Sequence, residues 1–202
     1  MSLARFDQSF LENGVSVLAG VDEAGRGPLA GPVTAAACII PHDSEIDGIN
    51  DSKQLTPQQR NRLFEVLTNN SQVVYGVGIV DVEVIDDINI LQATIRAMTQ
   101  ALDVLATKPD LVLVDGMELS YPLLRCKKII KGDARSLAIA AASIIAKETR
   151  DRIMIEYHQR WPEYGFDKHK GYGTVKHREA IHRWGPCPIH RRSFEPVKSL
   201  LA

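Results

Sequence analysis

The sequence predicts an α/β domain with a helical C-terminal part. Apolar, β-branched runs of strand length come first, later strands alternate with segments of helical periodicity, and residues 160–202 are rich in loops, aromatic side chains and basic groups. A chain of 202 residues fits one domain. We therefore expect a single domain over residues 1–202, with residues 160–202 as its C-terminal extension.

Two strands are predicted at the start of the chain, over Val15–Val21 and Val33–Ile40. The second is apolar throughout, which is typical of a strand that is buried on both faces. The segment between them holds glycines and prolines that exclude a helix of useful length. These residues are Gly25, Gly27, Pro28, Gly31 and Pro32.

A helix is predicted to begin after Thr56, which has the position of an N-cap residue. Gln59 completes a capping box, and the helical pattern fades at Asn70. A strand over Val73–Val80 and a mostly helical segment over Val82–Ala106 follow.

The remaining elements alternate between apolar strands and longer helices. We expect a short buried strand over Asp110–Gly116 and a further strand over Lys127–Ile130. The segment from Ala134 to about Arg160 predicts a long helix, and its first part is apolar on all sides and therefore buried. The pattern over Thr174–Trp184 predicts a last amphipathic helix.

The net charge of −1 conceals an asymmetry between the two parts of the chain. Residues 1–120 carry a net charge of −10, whereas residues 121–202 carry +9. This pattern is compatible with ordinary solvated surface and also with a metal site that faces a polyanion-binding surface. Composition alone does not distinguish these two interpretations.

The three cysteines are few and widely spaced, which argues against a disulfide framework and fits a reducing cytosol. We see no secretory signal over residues 1–13, and no apolar run approaches the roughly 20 residues that span a bilayer. We therefore expect a cytoplasmic protein. The pair Cys187 and His190 has no second ligand pair, which disfavours a zinc site.

Four acidic residues close hydrophobic segments of the chain. Asp22 and Glu23 follow the first predicted strand, Asp115 follows another, and Asp133 precedes the long apolar helix. Acids at the ends of core elements can converge on one point, where their mutual repulsion calls for a divalent cation. Ligands that are all oxygen suit Mg²⁺ or Mn²⁺ rather than zinc.

Each acid also has a structural alternative. Asp133 could be a helix N-cap, and Asp115 before Gly116 could belong to a turn. The pair Asp22 and Glu23 could be a solvated strand end, and both side chains can reach one centre only if the strand ends or bends there. The joint occurrence of these acids at the ends of hydrophobic segments favours the metal site.

The turn Gly25-Arg26-Gly27 suits an anionic ligand. Glycines allow close approach to the backbone, consecutive N–H groups can form an anion nest, and Arg26 offers a fork for phosphate. The same stretch, together with Ala30, fits a dinucleotide-binding fingerprint. That motif requires a helix to follow at once, which Gly31-Pro32 would prevent.

A basic segment with a central aromatic residue, Lys168 to Thr174, follows in the C-terminal part. Cations around Tyr172 suit a groove for a nucleic-acid backbone with a stacking platform, and a surface loop is the alternative. We favour Lys168, Lys170 and Arg26 for direct phosphate contact. Lys53, before the capped helix, either contacts phosphate or lies in a polar turn.

At this point a family resemblance is clear. The run GVDEAGRGPLAGPV, from Gly20 to Val33, resembles the highly specific opening signature of the bacterial ribonuclease HII family. Further blocks resemble the family in the same order over nearly the whole chain. They are DSKQL (51–55), LVDG (113–116), KGD (131–133), SLAIAAASIIAKETRD (136–151), HKGYGT (169–174) with His177, and HRRSF (190–194).

The resemblance implies a ribonuclease H-like fold, in which helices flank a mixed five-stranded sheet and a helical C-terminal extension follows. It implies that the turn Gly25-Arg26-Gly27 lies beside a ribonucleotide and that Tyr172 packs under the adjoining deoxyribose. It also implies that the catalytic and metal-binding acids are Asp22, Glu23, Asp115 and Asp133.

The implied reaction is hydrolysis of the phosphodiester on the 5′ side of a ribonucleotide, with two Mn²⁺ or Mg²⁺ ions about 3.5–4 Å apart. The implied substrates are RNA–DNA hybrids and DNA that contains ribonucleotides, with no membrane and no obligate protein partner. Two other classes remain as alternatives. A noncatalytic nucleic-acid-binding protein would need the groove but not the acids, and a dinucleotide-dependent oxidoreductase would need the fingerprint helix.

Overall fold

The computed structural model describes residues 2–11, 15–41, 46, 48–49, 55–122 and 124–201. Its strands form one five-stranded sheet in the order β3-β2-β1-β4-β5. The pairs β1–β2 and β2–β3 are antiparallel, and β1–β4 and β4–β5 are parallel, which confirms the expected mixed sheet. The strands are β1 (Leu18–Ala24), β2 (Val33–Ile39), β3 (Val74–Val80), β4 (Leu111–Asp115) and β5 (Arg125–Ile129).

Helices cover both faces of the sheet and form the C-terminal part. They are α1 (Leu3–Leu11), α2 (Pro57–Asn69), α3 (Val82–Asp103), α4 (Leu137–Arg160), α5 (Phe166–His169), α6 (Val175–Trp184) and α7 (Val197–Leu200), with 3₁₀ turns at Gly132–Ala134 and Pro162–Tyr164. Within the described ranges, no helix has the length and apolar character needed to cross a membrane. The short helices α1, α5 and α7 were not predicted.

The bounds of the first strand differ from the prediction. We predicted Val15–Val21, whereas β1 runs over Leu18–Ala24. Its parallel pairing with β4 stops at Val21, but its antiparallel pairing with β2 continues to the pair Ala24 and Thr34. Asp22 and Glu23 therefore lie inside the strand, and the bend that we expected comes after them, at Gly25 with φ 95°.

The helix bounds follow local capping interactions. The predicted capping box of α2 is confirmed, because Thr56 Oγ1 accepts from the N–H of Gln59 and Gln59 Oε1 accepts from the N–H of Thr56. Helix α4 begins later than the predicted Ala134, because Ser136 is its N-cap and accepts from the N–H of Ile139. The alternative that Asp133 caps this helix is therefore wrong.

Two glycines let the long helices approach the sheet closely. A methyl group at Gly20 of β1 would lie 2.2 Å from the backbone of Ala138 in α4. On the opposite face, a methyl group at Gly78 of β3 would lie 2.0 Å from the carbonyl oxygen of Ala97 in α3. Both helices therefore pack backbone against strand at these points, and α4 is held directly over the strand that carries Asp22.

The C-terminal extension has its own apolar cluster, which packs against the loop between β1 and β2. Leu29 and Ala30 of that loop are buried with Met154 of α4 and with Phe166 and Ile181 of the extension. The extension is thus an integral part of the domain core, and it places α5 and α6 beside the glycine-rich loop.

Gly20→Ala tests this close packing. Because the added methyl group meets backbone that cannot rotate away, we expect a loss of about 3 kcal/mol in the free energy of unfolding, the upper end of the usual cost of overpacking. The matched control is Gly27→Ala, where the new methyl group would meet the Tyr172 ring at an ordinary 3.8 Å. Urea unfolding of both variants measures the difference, and equal stabilities would contradict the packing argument.

Candidate metal centre

Three aspartates from separate elements meet at one edge of the sheet. One carboxylate oxygen from each of Asp22, Asp115 and Asp133 lies within 4.8 Å of the others. The register explains the first two, because β1 and β4 are paired up to Val21 and Val114 and the next residue of each strand is an aspartate. Asp133 comes from the 3₁₀ turn after β5, the neighbour of β4.

Asp22 is the most perturbed member of the cluster. Its residue is only 5% exposed, and its Oδ1 accepts a hydrogen bond from the N–H of Glu23 at 2.7 Å. Burial raises the pKa of the Asp22 carboxyl well above its usual value, and the negative charges of Glu23, Asp115 and Asp133 raise it further. A bound cation would reverse both effects, because it stabilises the ionised carboxylates.

Asp115 is connected directly to the turn that carries Asp133. Its Oδ1 accepts from the N–H of Gly132 at 2.6 Å. A methyl group at Gly132 would lie 2.5 Å from the Ile139 side chain and 3.1 Å from this same oxygen, so glycine there lets the turn lie close to the carboxylate. The interpretation of Asp115 as a turn residue does not account for this contact across 17 positions of the chain.

Glu23 contributes a fourth carboxylate beside the cluster. Its Oε1 accepts from Arg26 Nη1 at 3.2 Å, whereas its Oε2 is buried without a hydrogen-bond partner. Burial raises the pKa of Glu23, and the guanidinium of Arg26 opposes that rise. A buried carboxylate oxygen without a hydrogen-bond partner, beside three aspartates, suits a divalent cation, and the all-oxygen donor set favours Mg²⁺ or Mn²⁺.

A cleft of about 240 Å³ opens over these acids. Its lining includes predicted site residues from three segments, namely Asp22, Glu23, Gly25, Arg26, Gly27, Asp115 and Tyr172. It also includes Ser143 and Lys147 of α4, which the sequence analysis missed. Their spacing of four residues, on a helix that is otherwise apolar there, is the signal that could have identified a polar face.

Lys147 is a fixed cation at this cleft. Its Nζ donates to both carboxylate oxygens of Asp151, one turn further along α4. Burial lowers the pKa of Lys147, and the charge of Asp151 opposes that effect. The lysine therefore brings positive charge to the cleft on a rigid helix.

Two of the predicted cations, Lys168 and Lys170, lie outside the cleft lining. The side chain of Lys168 is 85% exposed, with Nζ 3.2 Å from Asp167 Oδ2, and Lys170 Nζ donates to the carbonyl oxygen of Asp167. Arg26 lines the cleft and is paired with Glu23. The prediction for Lys53 falls outside the described residues.

The loop between β1 and β2 is held by two buried arginines through its carbonyl oxygens. Arg191 donates to the carbonyl oxygens of Gly25, Arg26, Gly31 and Pro32. Arg150 of α4 donates to Ala30, Pro32 and, across the cleft wall, Lys170. Neither arginine was predicted as a site residue.

Two alternative interpretations of the sequence are wrong. No helix follows Gly25-Arg26-Gly27, since the chain continues through this loop into β2, so the dinucleotide fingerprint lacks its required context. Among the described residues, the three aspartates are the one cluster of acidic, histidine or cysteine side chains that could hold a metal. Cys187 and His190 are instead hydrogen-bonded to each other.

Sequence comparison identifies close relatives of known family. The ribonuclease HII family profile matches residues 19–197. The ribonuclease HII of Chlamydia caviae is 53% identical over 201 residues, covering 100% of this chain and 94% of that protein. The ribonuclease HII of Chlamydia muridarum is 58% identical over 193 residues, covering 96% of this chain and 88% of that protein.

Structure comparison gives the same answer. The ribonuclease H2 of Pyrococcus horikoshii is 32% identical, with a TM-score of 0.75 over 91% of this chain and 96% of that one. The ribonuclease HII of Archaeoglobus fulgidus, solved in complex with PCNA, is 25% identical, with a TM-score of 0.73 over 89% of this chain and 95% of that one. These likenesses confirm the ribonuclease H-like fold. With an aspartate cluster suited to divalent cations and full-length similarity to these enzymes, the chain belongs to the ribonuclease HII family of metal-dependent hydrolases.

Proposed function

We propose that this enzyme cleaves the RNA strand of RNA–DNA hybrids and single ribonucleotides embedded in DNA. It cuts on the 5′ side of the ribonucleotide and leaves a 3′-hydroxyl and a 5′-phosphate. The observation that carries this proposal is the cleft itself, which combines an acid cluster with the Gly25–Gly27 turn and an exposed Tyr172 ring. The unpaired cysteines are compatible with action in the cytoplasm.

The four acids have distinct positions in this proposal. Asp22 would contribute to the sites of both divalent ions, Mg²⁺ or Mn²⁺, and Glu23, Asp115 and Asp133 would complete those sites. When bound, such ions activate the attacking water and stabilise negative charge on the leaving 3′-oxygen. Two hydrogen bonds fix the positions of these carboxylates: the N–H of Gly132 donates to Asp115, and Arg26 donates to Glu23.

The cleft has two walls above the acids, the Gly25-Arg26-Gly27 turn and the loop that carries Tyr172, and these two walls recognise the ribonucleotide. Glycine at positions 25 and 27 lets the backbone approach a 2′-hydroxyl, which can donate and accept a hydrogen bond. The Tyr172 ring lies beside Gly27 and offers a flat face to the next sugar, where its bulk disfavours a second 2′-hydroxyl. Basic residues of the C-terminal part bind phosphates on either side.

Cleavage of an end-labelled duplex with one ribonucleotide tests the proposed reaction. We expect a single cut 5′ of the ribonucleotide that requires Mg²⁺ or Mn²⁺.

Replacement of Asp22, Glu23 or Asp115 by the matching amide should remove most activity and leave the fold intact. Asp133→Asn decides the fourth position, since near-wild-type turnover at saturating metal would remove it from the set. Binding without cleavage would indicate the noncatalytic alternative.

Metal-free stability should depend on Asp22. A folded-state pKa above the unfolded value means that the apoprotein loses stability as pH rises from about 4 through the raised pKa. At neutral pH, Asp22→Asn should therefore raise the Tm of the apoprotein, by about 2–4 °C for each kcal/mol gained. Saturating Mn²⁺ should stabilise the wild type but not this variant.

Asp87→Asn is the matched control, because Asp87 is exposed on α3 away from the cluster. It should leave both the apo Tm and the metal-induced shift unchanged. A lower apo Tm for Asp22→Asn, or an undiminished Mn²⁺ shift, would contradict the metal-centre assignment.

Substrate binding should weaken strongly as salt rises, because each cation–phosphate contact releases counterions. Removal of both Lys168 and Lys170 should reduce the slope of log Kd against log salt by about 2 if each contacts one phosphate. Lys108→Ala, in the acidic part of the chain, is the control. Filter binding of a noncleavable duplex in Ca²⁺ gives the slopes, and an unchanged slope would remove these lysines from the interface.

Tyr172 should determine the preference for the junction. Packing of an aromatic ring against a nucleotide contributes about 1–3 kcal/mol, so Tyr172→Ala should lower cleavage of a single embedded ribonucleotide about tenfold relative to continuous hybrid. Tyr172→Phe should keep the preference, because the ring rather than the hydroxyl makes the contact. Equal losses on both substrates would show that Tyr172 positions the chain generally, and a Phe variant as impaired as Ala would assign the effect to the hydroxyl.

A further inference from the structure

Two buried histidines lie beneath the wall that carries Tyr172, outside the metal centre. His177 of α6 is 0% exposed and His190 is 1% exposed, and their Nε2 atoms are 3.0 Å apart. We infer that His177 and His190 are positioning residues for Tyr172. They form a directional hydrogen-bonded chain from the N–H of Cys187 to the carbonyl oxygen of Tyr172, and this chain sets the place of the Tyr172 ring over Gly27.

The direction of the chain follows from its two ends. His177 Nδ1 lies 2.9 Å from the carbonyl oxygen of Tyr172, which can only accept, so Nδ1 must carry the proton. In a neutral ring, His177 Nε2 is then the acceptor and His190 Nε2 must donate to it. His190 Nδ1 is consequently unprotonated, as required to accept from the N–H of Cys187 at 2.9 Å.

The opposite direction is inconsistent with the geometry. It would need His190 Nδ1 to donate either to the carbonyl oxygen of Cys187 at 3.3 Å or to the weakly accepting Cys187 Sγ at 3.1 Å, and it would set that proton against the N–H of Cys187 at 2.9 Å. It would also place the lone pair of His177 Nδ1 against the lone pairs of the Tyr172 carbonyl oxygen. Only one arrangement of protons therefore satisfies all four ring nitrogens.

Burial keeps both rings neutral, which the chain requires. It lowers the pKa of His177 and of His190 to about 4 in each case. The ring of His169 stacks on His177 at 4.4 Å between centroids, and Tyr164 packs on His190 at 5.0 Å. A second proton on His177 would bring two N–H groups face to face at 3.0 Å, and a second proton on His190 would face the N–H of Cys187 at 2.9 Å.

The hydrogen-bonded pair of histidines acts on Tyr172 through the backbone carbonyl group of Tyr172. The Tyr172 side chain is exposed, at 46% for the residue, so burial does not hold the ring. Its carbonyl oxygen accepts from His177 and from Thr174 N, and its N–H donates to the carbonyl oxygen of His169. The backbone anchor therefore decides where the ring stands before any substrate binds.

Arg191, the residue after His190, contacts the other side of the cleft. His190 supports the Tyr172 wall through His177, while Arg191 holds the carbonyl oxygens of Gly25 and Arg26 in the opposite wall. The N–H of Arg191 also donates to the carbonyl oxygen of Leu29. Two consecutive residues of the HRRSF block thus join the two walls between which a ribonucleotide junction is proposed to lie.

This inference rests on the proposed function of Tyr172, but its first test does not need substrate. Long-range ¹⁵N–¹H correlation spectra of the metal-free protein report which nitrogen of each histidine is protonated. We expect the Nδ1–H form for His177 and the Nε2–H form for His190. The same tautomer in both rings, or a charged ring at neutral pH, would overturn the chain.

The second test separates positioning from general structural support. His177→Asn places an amide donor near the position of Nδ1 and should largely keep the preference for embedded ribonucleotides over continuous hybrid. His177→Ala lacks this donor and should reduce that preference about tenfold, as Tyr172→Ala does. The double variant should show no further change in preference, because both act through one side chain. His182→Ala, exposed on the same helix, is the control and should change nothing.

The outcomes distinguish the inference from the function on which it rests. If Tyr172→Ala alters the preference but His177→Ala lowers cleavage of both substrates equally, His177 supports only the fold and the inference fails. Additive effects in the double variant would also contradict it. If Tyr172→Ala itself leaves the preference for embedded ribonucleotides unchanged, the proposed role of Tyr172 fails. The tautomers of His177 and His190 then still decide whether the hydrogen-bonded chain between them is present.

Discussion

Two buried guanidinium groups hold the loop on which the site depends. Arg150 and Arg191 are 1% and 0% exposed, and their donors are directed at backbone carbonyl oxygens. Burial lowers their pKa values to about 10 and about 9, so both remain charged at neutral pH. The loop places several carbonyl oxygens around each guanidinium group. Replacement of either arginine would leave these oxygens buried without a hydrogen-bond donor, which would lower the free energy of unfolding by about 1–3 kcal/mol for each oxygen.

The acid cluster works against folding, because it buries negative charge. Asp22 and Asp133 are each only 5% exposed, and Glu23 has a buried oxygen without a partner. Closely spaced, partly desolvated carboxylates repel one another in the absence of a cation, which fits the metal centre proposed above. Rigid support for the acids comes from α4 packed on Gly20, while the arginine clamp holds the adjacent loop.

The C-terminal extension therefore does more than cover the core. Its apolar cluster positions α5 and α6, His177 is hydrogen-bonded to the backbone of Tyr172, and Arg191 donates to carbonyl oxygens of the loop after β1. The cleft over the acids is lined by the end of β1 and the loop after it, by residues of β4 and α4, and by Tyr172 of the extension, so both oppositely charged parts of the chain contribute to it.

The sequence by itself determined the order and type of the main strands and helices and the capping box at Thr56, and it predicted the acids of which the structure brings Asp22, Asp115 and Asp133 together. These features depend on neighbouring residues or on a recognisable signature. Only the tertiary structure decided where β1 begins, that Ser136 rather than Asp133 caps α4, and that Lys147 and Ser143 join the cleft. It also revealed the contacts of Arg150, Arg191, His177 and His190, because their partners lie far away in sequence or depend on a loop that packing holds in place. Local patterns report periodicity and capping, whereas long-range register and burial decide which polar groups meet.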